Sequence, residues 1–220
     1  MSAVCQSLHR LVDGRRKDSF PFDGKLIPTD GIYVLFESGE HGHGTCRIVR
    51  IGTHTGTRQL RSRLAQHFIQ ERKDRSIFRK NIGRALLSKE ADPFLDSWNL
   101  DLTTRKAKDL HAEGVDFVRQ AEIESEVTSY IQSSFSFVTL PISSKPERLR
   151  LESRMISTVA SCDECSPSSN WLGRHSPKEK IREAGLWQVN ELYKEPLSID
   201  DCEHLSQIAE GVSTRVGGNW

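Results

Sequence analysis

Four side chains in this sequence are of the types needed to hydrolyse a phosphate ester. Glu152 can offer a carboxylate oxygen to Mg²⁺, which takes one or two carboxylates and keeps several of its waters. Arg63 carries a planar guanidinium suited to a phosphate oxygen, and His67 follows one helical turn later on the same face. The hydroxyl group of Tyr33 can orient or activate a water molecule.

Each of these residues also has an ordinary structural explanation. Glu152 follows Arg148 by four residues, the spacing of an ion pair on a helix surface. Tyr33 lies in a strand-like segment, where an aromatic residue usually belongs to the core. Arg63 is otherwise one more arginine of a basic helix, with Arg61 as a close competitor for a phosphate contact. A lone histidine on a helix, such as His67, is usually structural. The residue types alone leave both explanations open.

The pattern of apolar residues predicts an α/β fold of the α+β type. Its small, mainly antiparallel sheet has three strands at 32–37, 47–51 and 135–141, and the glycine-rich link between the first two predicts a hairpin. Apolar residues at helical spacing predict a helix at 57–70, and Pro146 is placed to open another. Helices flank the sheet, and residues 72–134 are predicted as a helical insertion.

Two short motifs resemble those of the GIY-YIG nuclease superfamily. Gly-Ile-Tyr stands at 31–33 on the first strand and Arg-Ile-Gly at 50–52 on the second, followed in order by Arg63 and Glu152 on helices. The resemblance extends from residue 31 to about residue 177. It implies a GIY-YIG-like fold and a divalent-metal-dependent DNA endonuclease that uses Mg²⁺ or Mn²⁺.

The resemblance also implies roles for five residues. Glu152 would hold the metal, Tyr33 would orient or activate water, and Arg63 with His67 would stabilise the phosphate. Asn170, downstream of the helix that carries Glu152, would hold the phosphate or shape the site. A turn rich in serine and proline is the alternative explanation for Asn170.

The second motif departs from the family pattern because Arg50 stands where the family has a tyrosine. Arginine cannot act as a base at neutral pH, since its pKa exceeds about 12. The duty of the missing tyrosine would therefore pass to Tyr33, Arg50 or His54. We interpret Arg50 as a phosphate contact, and a nucleic-acid-binding module without catalysis is the alternative.

Charge is divided unevenly along a chain whose net charge is only +1. Residues 58–90 contain ten basic and three acidic residues, whereas residues 91–130 contain four basic and nine acidic ones. The basic segment can hold a DNA backbone by displacing its counterions, or the two segments can neutralise each other across the fold. The residues predicted to bind nucleic acid are Arg50, His54, Arg58, Arg61, Arg79, Lys80 and Arg84.

Composition and length indicate a globular chain. The 220 residues are 36% hydrophobic with a mean hydropathy of −0.52, and no apolar run is long enough to cross a membrane. We expect a cytoplasmic protein with reduced cysteines. We expect a surface arm at 1–26, a nuclease-like domain at 27–177 and an extension at 178–220 packed on the same domain. A homodimer is left open.

Cys162 and Cys165 form a C-x-x-C pair, which is typical of zinc and redox sites. Zinc needs two further ligands, and Cys46, Cys202 and the eight histidines show no second paired spacing, so no metal is assigned to the pair. Three hypotheses remain for the function of the chain. They are a DNA endonuclease of restriction or defence type, an inactive nucleic-acid-binding module, and a structural or adaptor protein.

Overall fold

The computed structural model describes residues 2–211, which form a four-stranded antiparallel sheet between two groups of helices. The strands are β1 (Asp18–Ser19), β2 (Gly31–Gly42), β3 (Thr45–Gly52) and β4 (Phe135–Pro141), in the order β1-β4-β2-β3. The helices are α1 (Ser2–Asp13), α2 (Leu60–Phe68), α3 (Ile77–Lys89), α4 (Leu95–Asn99), α5 (Arg105–His111), α6 (Phe117–Ser134), α7 (Lys145–Ala160), α8 (Glu179–Ala184) and α9 (Ile199–Ala209). Among these helices, none is both long and apolar enough to cross a membrane.

The predicted α+β fold with an antiparallel sheet is confirmed, and the sheet has one strand more than expected. β1 pairs with β4 through Asp18 opposite Phe137 and Ser19 opposite Ser136. A strand of two polar residues has no alternation of apolar and polar positions, so the sequence carries no signal for it.

The central strand β2 is buried on both faces, and its alternating side chains enter two separate cores. Ile32 and Val34 pack on the side of α1, α7 and α9. Tyr33 and Leu35 point to the opposite side, which α2, α3 and α6 cover. Because side chains alternate along a strand, the position of Tyr33 fixes it on the face that meets α2.

Local capping places the helices that carry the candidate residues. Ser144 accepts a hydrogen bond from the Glu147 backbone at the start of α7, where Pro146 occupies the first turn. Ser76 likewise caps α3 by accepting from the Arg79 backbone. These caps fix where α7 and α3 begin, and thereby the faces that they present to the sheet.

The segment expected as a surface arm instead contains α1, whose inner face is buried. Cys5, Leu8 and Val12 recur at helical spacing and join the core on the α7 side. The apolar stripe is narrow, because polar residues separate its members, and this made the segment resemble an arm. Of the predicted extension, α8 and α9 belong to the described fold, and 212–220 lie outside the described residues.

A buried carboxylate on β2 joins three distant segments. Glu37 accepts hydrogen bonds from Trp171 Nε1 at 2.8 Å and Trp187 Nε1 at 2.7 Å, and from the hydroxyl group of Tyr130 on α6. Burial raises the pKa of Glu37, and these three donors oppose that effect. The inserted helices and the C-terminal segment therefore meet at the same point of the sheet.

Candidate active site

Two adjoining cavities open between α2 and α7, at the end of the sheet where β2 begins and β3 ends. Their volumes are about 470 Å³ and about 440 Å³. Arg63 on α2 and Leu149 and Glu152 on α7 line both cavities. Residues far apart in the sequence therefore meet at one cleft.

The two motif glycines are required by close contacts. A Cβ atom on Gly31 would lie 2.3 Å from the carbonyl oxygen of Leu140 on β4. A Cβ atom on Gly52 would lie 2.2 Å from the hydroxyl oxygen of Tyr33. Only glycine fits at either position without displacing its neighbours, so both motifs have a packing explanation on this sheet.

A chain of hydrogen bonds runs from β2 to the start of α3. The Tyr33 hydroxyl lies 2.7 Å from His67 Nε2, and His67 Nδ1 lies 2.7 Å from the hydroxyl of Ser76. Arg50 donates from Nε to the Tyr33 oxygen at 3.4 Å. Ser76, which sequence reasoning did not single out, is thus the third member of the chain.

His67 is fully buried, and its surroundings oppose a positive charge. Burial lowers its pKa well below the usual range, and the nearby cations Arg63, Arg50 and Arg79 lower it further. A neutral imidazole accepts through one nitrogen and donates through the other. In the tautomer whose Nε2 accepts, His67 takes the hydrogen bond donated by the Tyr33 hydroxyl.

Glu152 is held beside the end of β3 rather than in a helix-surface ion pair. Its Oε1 accepts from the Thr53 backbone at 2.9 Å, and among residues 2–211 it forms no salt bridge. Arg148, its expected partner, donates to the carbonyl groups of Ile142, Ser143 and Gly56. Burial raises the pKa of Glu152 to about 7, opposed by the Thr53 N–H and the charge of Arg50.

Arg63 faces the cleft and Arg61 does not. Arg63 uses Nη1 to contact Gln66 at 3.0 Å and the carbonyl of Arg75 at 3.2 Å. Arg61 lines neither cavity and donates to the carbonyl of Ile27 at 2.7 Å. The structure thus separates the two competing arginines by position.

A family comparison covers nearly the whole chain. The sequence model described as GIY-YIG domain matches residues 3–215, which is nearly the whole chain. The chain belongs to the GIY-YIG domain family. Family membership identifies it as a nuclease in general terms. No curated protein and no solved structure gives a significant match to the chain.

This GIY-YIG domain uses Arg50 at the position of the second motif's tyrosine, and the arginine is mostly buried. Besides Tyr33, its guanidinium contacts the carbonyl group of Trp187 and stacks over Phe78 at 5.4 Å. Arg50 also lines the second cavity together with Glu152. It therefore connects the buried tyrosine to the cleft.

His54 lines the first cavity but is buried and engaged within the fold of this GIY-YIG domain. Its Nδ1 lies 2.9 Å from the carbonyl of Gly56, and its Nε2 accepts from the Gly31 backbone at 3.4 Å. Burial lowers its pKa. Its contacts stabilise the turn that follows β3.

Asn170 is exposed and lines neither cavity. Instead, Gln188, Asn190 and Glu191 line the second cavity, and Gln188 accepts from the Ile51 backbone at 3.1 Å. The one sequence signal for these residues was that polar side chains follow the buried Gly-Leu-Trp segment at 185–187. The structure therefore does not bring Asn170 to the cleft.

Three cations predicted to contact nucleic acid are buried in this GIY-YIG domain. Arg79 forms an ion pair with Glu124 on α6 at 2.8 Å, and Lys80 pairs with Asp74 at 2.9 Å. Arg84 donates to the side chains of Asn99 and Asn81. Part of the positive charge of residues 58–90 is thus neutralised by buried acids inside the fold. Exposed cations in the basic segment are Arg58, Arg61, Arg72, Arg75 and Lys89.

Proposed function

We propose that this GIY-YIG domain is a divalent-metal-dependent endonuclease that hydrolyses phosphodiester bonds in DNA. The observation that carries the proposal is that Arg63 and Glu152 line the same cleft, next to the hydrogen-bonded pair of Tyr33 and His67. A cation that binds the phosphate and a carboxylate that holds a metal ion are two elements that this hydrolysis needs.

The environment of Glu152 fits a hard divalent cation. One carboxylate oxygen is fixed by the Thr53 N–H, and among the described residues the other forms no hydrogen bond. The cleft is polar and open to water, and Mg²⁺ and Mn²⁺ favour oxygen ligands, with Mg²⁺ keeping several of its waters. A nearby cation also favours the ionised form of a carboxyl group whose pKa burial has raised.

Glu152 would hold the metal, which when bound polarises the phosphate and lowers the pKa of water. Arg63 would bind a non-bridging phosphate oxygen, because its Nε and Nη2 have no hydrogen-bond partner among the described residues. Arg50, on the adjoining wall, would make a second phosphate contact.

Tyr33 would act on the reaction indirectly, because it is buried and lines neither cavity. Its oxygen accepts from Arg50 Nε and its hydroxyl is hydrogen-bonded to His67 Nε2, so the pair would hold the Arg50 guanidinium at the wall of the second cavity. The oxygen of the attacking water bonds to phosphorus while the bond to the 3′ oxygen breaks. The water loses its proton to solvent in the open cleft, and solvent protonates the departing oxygen.

DNA is the proposed substrate because exposed arginines are adjacent in sequence to residues that line the cleft, such as Gln59 and Ser62. Arg58 and Arg61 are exposed, and Arg75 contacts Arg63 through its carbonyl group. Such a group of cations binds a phosphate backbone by releasing counterions. The helices α4 to α6, inserted between the basic turn and β4, are the proposed recognition element of a restriction or defence enzyme.

Cleavage of plasmid DNA with Mg²⁺ or Mn²⁺ tests the proposal. We expect Glu152→Gln and Arg63→Ala each to reduce the rate by ~100-fold or more, because each removes charge stabilisation worth several kcal/mol. Glu90→Gln and Arg105→Ala are matched controls, since both residues are exposed and line neither cavity. Circular dichroism of each variant checks that it folds.

Assays of cleavage and binding, run on DNA and RNA side by side, distinguish the endonuclease from the alternative functions. Cleavage of RNA but not DNA would overturn the choice of substrate, and cleavage unaffected by Glu152→Gln would overturn the assigned site. Binding of DNA without cleavage under any metal would favour the inactive module, for which the buried contacts of Arg50 are the structural argument. Failure to bind DNA at any salt concentration would favour the adaptor hypothesis.

A further inference from the structure

Four metal-binding side chains from three parts of the chain meet at a second site, which the proposed reaction does not use. They are Cys5 and His9 on α1, His43 at the turn between β2 and β3, and Cys165 beyond α7. One ligand atom from each residue lies within 4.8 Å of all the others. We refer to these four residues as the cysteine–histidine cluster.

Local structure explains why these side chains converge. Cys5 and His9 are four residues apart on α1, so both lie on its buried face. His43 and Gly44 form a two-residue hairpin turn, with positive φ angles of 53° and 76°. The His43 side chain is 0% exposed, an unusual position for the tip of a hairpin. The turn therefore directs an imidazole into the protein.

The separations of the donor atoms suit a tetrahedral metal. Cys5 Sγ lies 3.5 Å from Cys165 Sγ, and Cys165 Sγ lies 3.8 Å from His9 Nε2. With zinc–sulfur bonds of about 2.3 Å and zinc–nitrogen bonds of about 2.0–2.1 Å, neighbouring ligand atoms lie roughly 3.3–3.8 Å apart. The cluster needs little rearrangement to reach that geometry.

The contacts around the two histidines are those of metal ligands. His9 Nδ1 lies 2.9 Å from the carbonyl of Cys5, which directs Nε2 toward Cys165. His9 Nε2 also accepts from the Ile48 backbone at 3.2 Å, a bond that metal binding replaces. His43 Nδ1 is buried without a hydrogen-bond partner among the described residues, and a Glu164 oxygen lies 3.3 Å away. A carboxylate beside a ligand histidine is a common arrangement.

The geometry points to a structural zinc ion held by Cys5, His9, His43 and Cys165. Two thiolates and two neutral imidazoles around Zn²⁺ carry no net charge, which suits a buried position. Four protein ligands close the coordination shell, so the ion would stabilise the fold rather than bind substrate. Cys162, whose Sγ lies 3.3 Å from His43 Nε2, neighbours the cluster without belonging to the set of four.

A disulfide between Cys5 and Cys165 is the competing explanation. It would require the two sulfur atoms to approach from 3.5 Å to about 2.05 Å, and it would leave both histidines without a role. Hydrogen bonds alone do not explain why two thiols and two imidazoles from three parts of the chain converge within 4.8 Å. Zinc explains all four residues together.

Metal analysis of the protein purified under reducing conditions, combined with cobalt substitution, tests the proposal. We expect one zinc per chain by elemental analysis, and thiolate-to-cobalt charge-transfer absorption after replacement with Co²⁺. Cys165→Ala and His43→Ala should lose most of the metal, whereas Cys46→Ala and Cys202→Ala, outside the cluster, should retain it. Cys162→Ala should also retain the metal.

Two further measurements keep the test decisive if a variant fails to fold. In the wild-type chain, chelation should lower the melting temperature and added Zn²⁺ should restore it. Glu152→Gln should keep its zinc, so loss of cleavage activity and loss of zinc are separable. Wild-type protein that binds no zinc, gives a Co²⁺ spectrum without thiolate absorption, binds iron instead or contains a Cys5–Cys165 disulfide would overturn the proposal.

Discussion

The hydroxyl oxygen of Tyr33 on β2 lies directly against the backbone of Gly52 on β3. The two residues are paired across the strands, and a Cβ atom at position 52 would approach that oxygen to 2.2 Å. The absence of a side chain at Gly52 is what lets the Tyr33 ring reach His67, so the first and second motifs depend on each other sterically.

Gly52→Ala should therefore damage the site as well as the packing. The added methyl group must displace the Tyr33 ring, which breaks its hydrogen bond to His67 and costs about 1–3 kcal/mol of stability through overpacking. DNA cleavage should fall at least ~10-fold. Gly24→Ala is the matched control, because nothing lies within 4 Å of its added Cβ atom. Unchanged cleavage in Gly52→Ala would contradict this relationship.

Tyr33→Phe should separate the chemistry from the packing. The ring still fills its place in the core, but Arg50 loses the oxygen that holds its guanidinium at the cleft wall, so cleavage should fall by ~100-fold. The free energy of unfolding should fall by about 1–3 kcal/mol, because the buried His67 Nε2 loses its partner. The exposed Tyr193 supplies the control variant Tyr193→Phe, which should cleave at the wild-type rate. Wild-type cleavage by Tyr33→Phe would remove Tyr33 from the mechanism.

Metal affinity should depend on pH through Glu152. Its pKa is raised to about 7 without a metal, so a divalent cation must compete with a proton at lower pH. The apparent affinity for Mn²⁺, measured by calorimetry, should fall about tenfold per pH unit below pH 7. An affinity that stays constant between pH 5 and about pH 7 would contradict the raised pKa.

The same group should make the stability of the metal-free chain depend on pH. Between the ordinary pKa of 4.5 and about 7, the folded chain keeps the Glu152 proton and the unfolded chain loses it. Stability contributed by this group is therefore present below pH 4.5 and is lost as the pH rises through about 7. Glu152→Gln should remove that part of the decline, which thermal melts of both proteins across this range measure.

Glu124→Gln should reveal a structural role for Arg79. The substitution leaves a buried guanidinium without its ionic partner, so the free energy of unfolding should fall by about 3–5 kcal/mol. Asp109→Asn, at the exposed pair with Arg105, is the control and should cost at most about 1 kcal/mol. DNA affinity that fell without a loss of stability would return Arg79 to the nucleic-acid interface.

Sequence reasoning succeeded where a residue's neighbours are local. The hairpin, the helix that carries Arg63 and the helix that carries Glu152 each follow from apolar spacing, capping and turn residues within a short segment. The order of strands and helices along the chain then brings Arg63 and Glu152 to the same end of the sheet. Tyr33 contacts His67 because the face of β2 that carries Tyr33 packs against α2.

What the sequence did not predict depends on partners from distant segments. In the sequence Arg79 cannot be told from an exposed helix cation, because its ionic partner Glu124 lies on a different helix. Cys165 pairs visibly with Cys162, yet the structure surrounds it with Cys5 and two histidines from elsewhere in the chain. Burial is a property of the assembled fold, so spacing alone does not reveal it.

Glu37 sets a lower limit on how far this chain can be trimmed. Its carboxylate relies on donors from α6 and from two C-terminal tryptophans, and removal of either segment would strand a buried acid. A fragment that lacks α6 or the C-terminal segment should therefore be insoluble. Both segments supply part of the core that packs against the sheet.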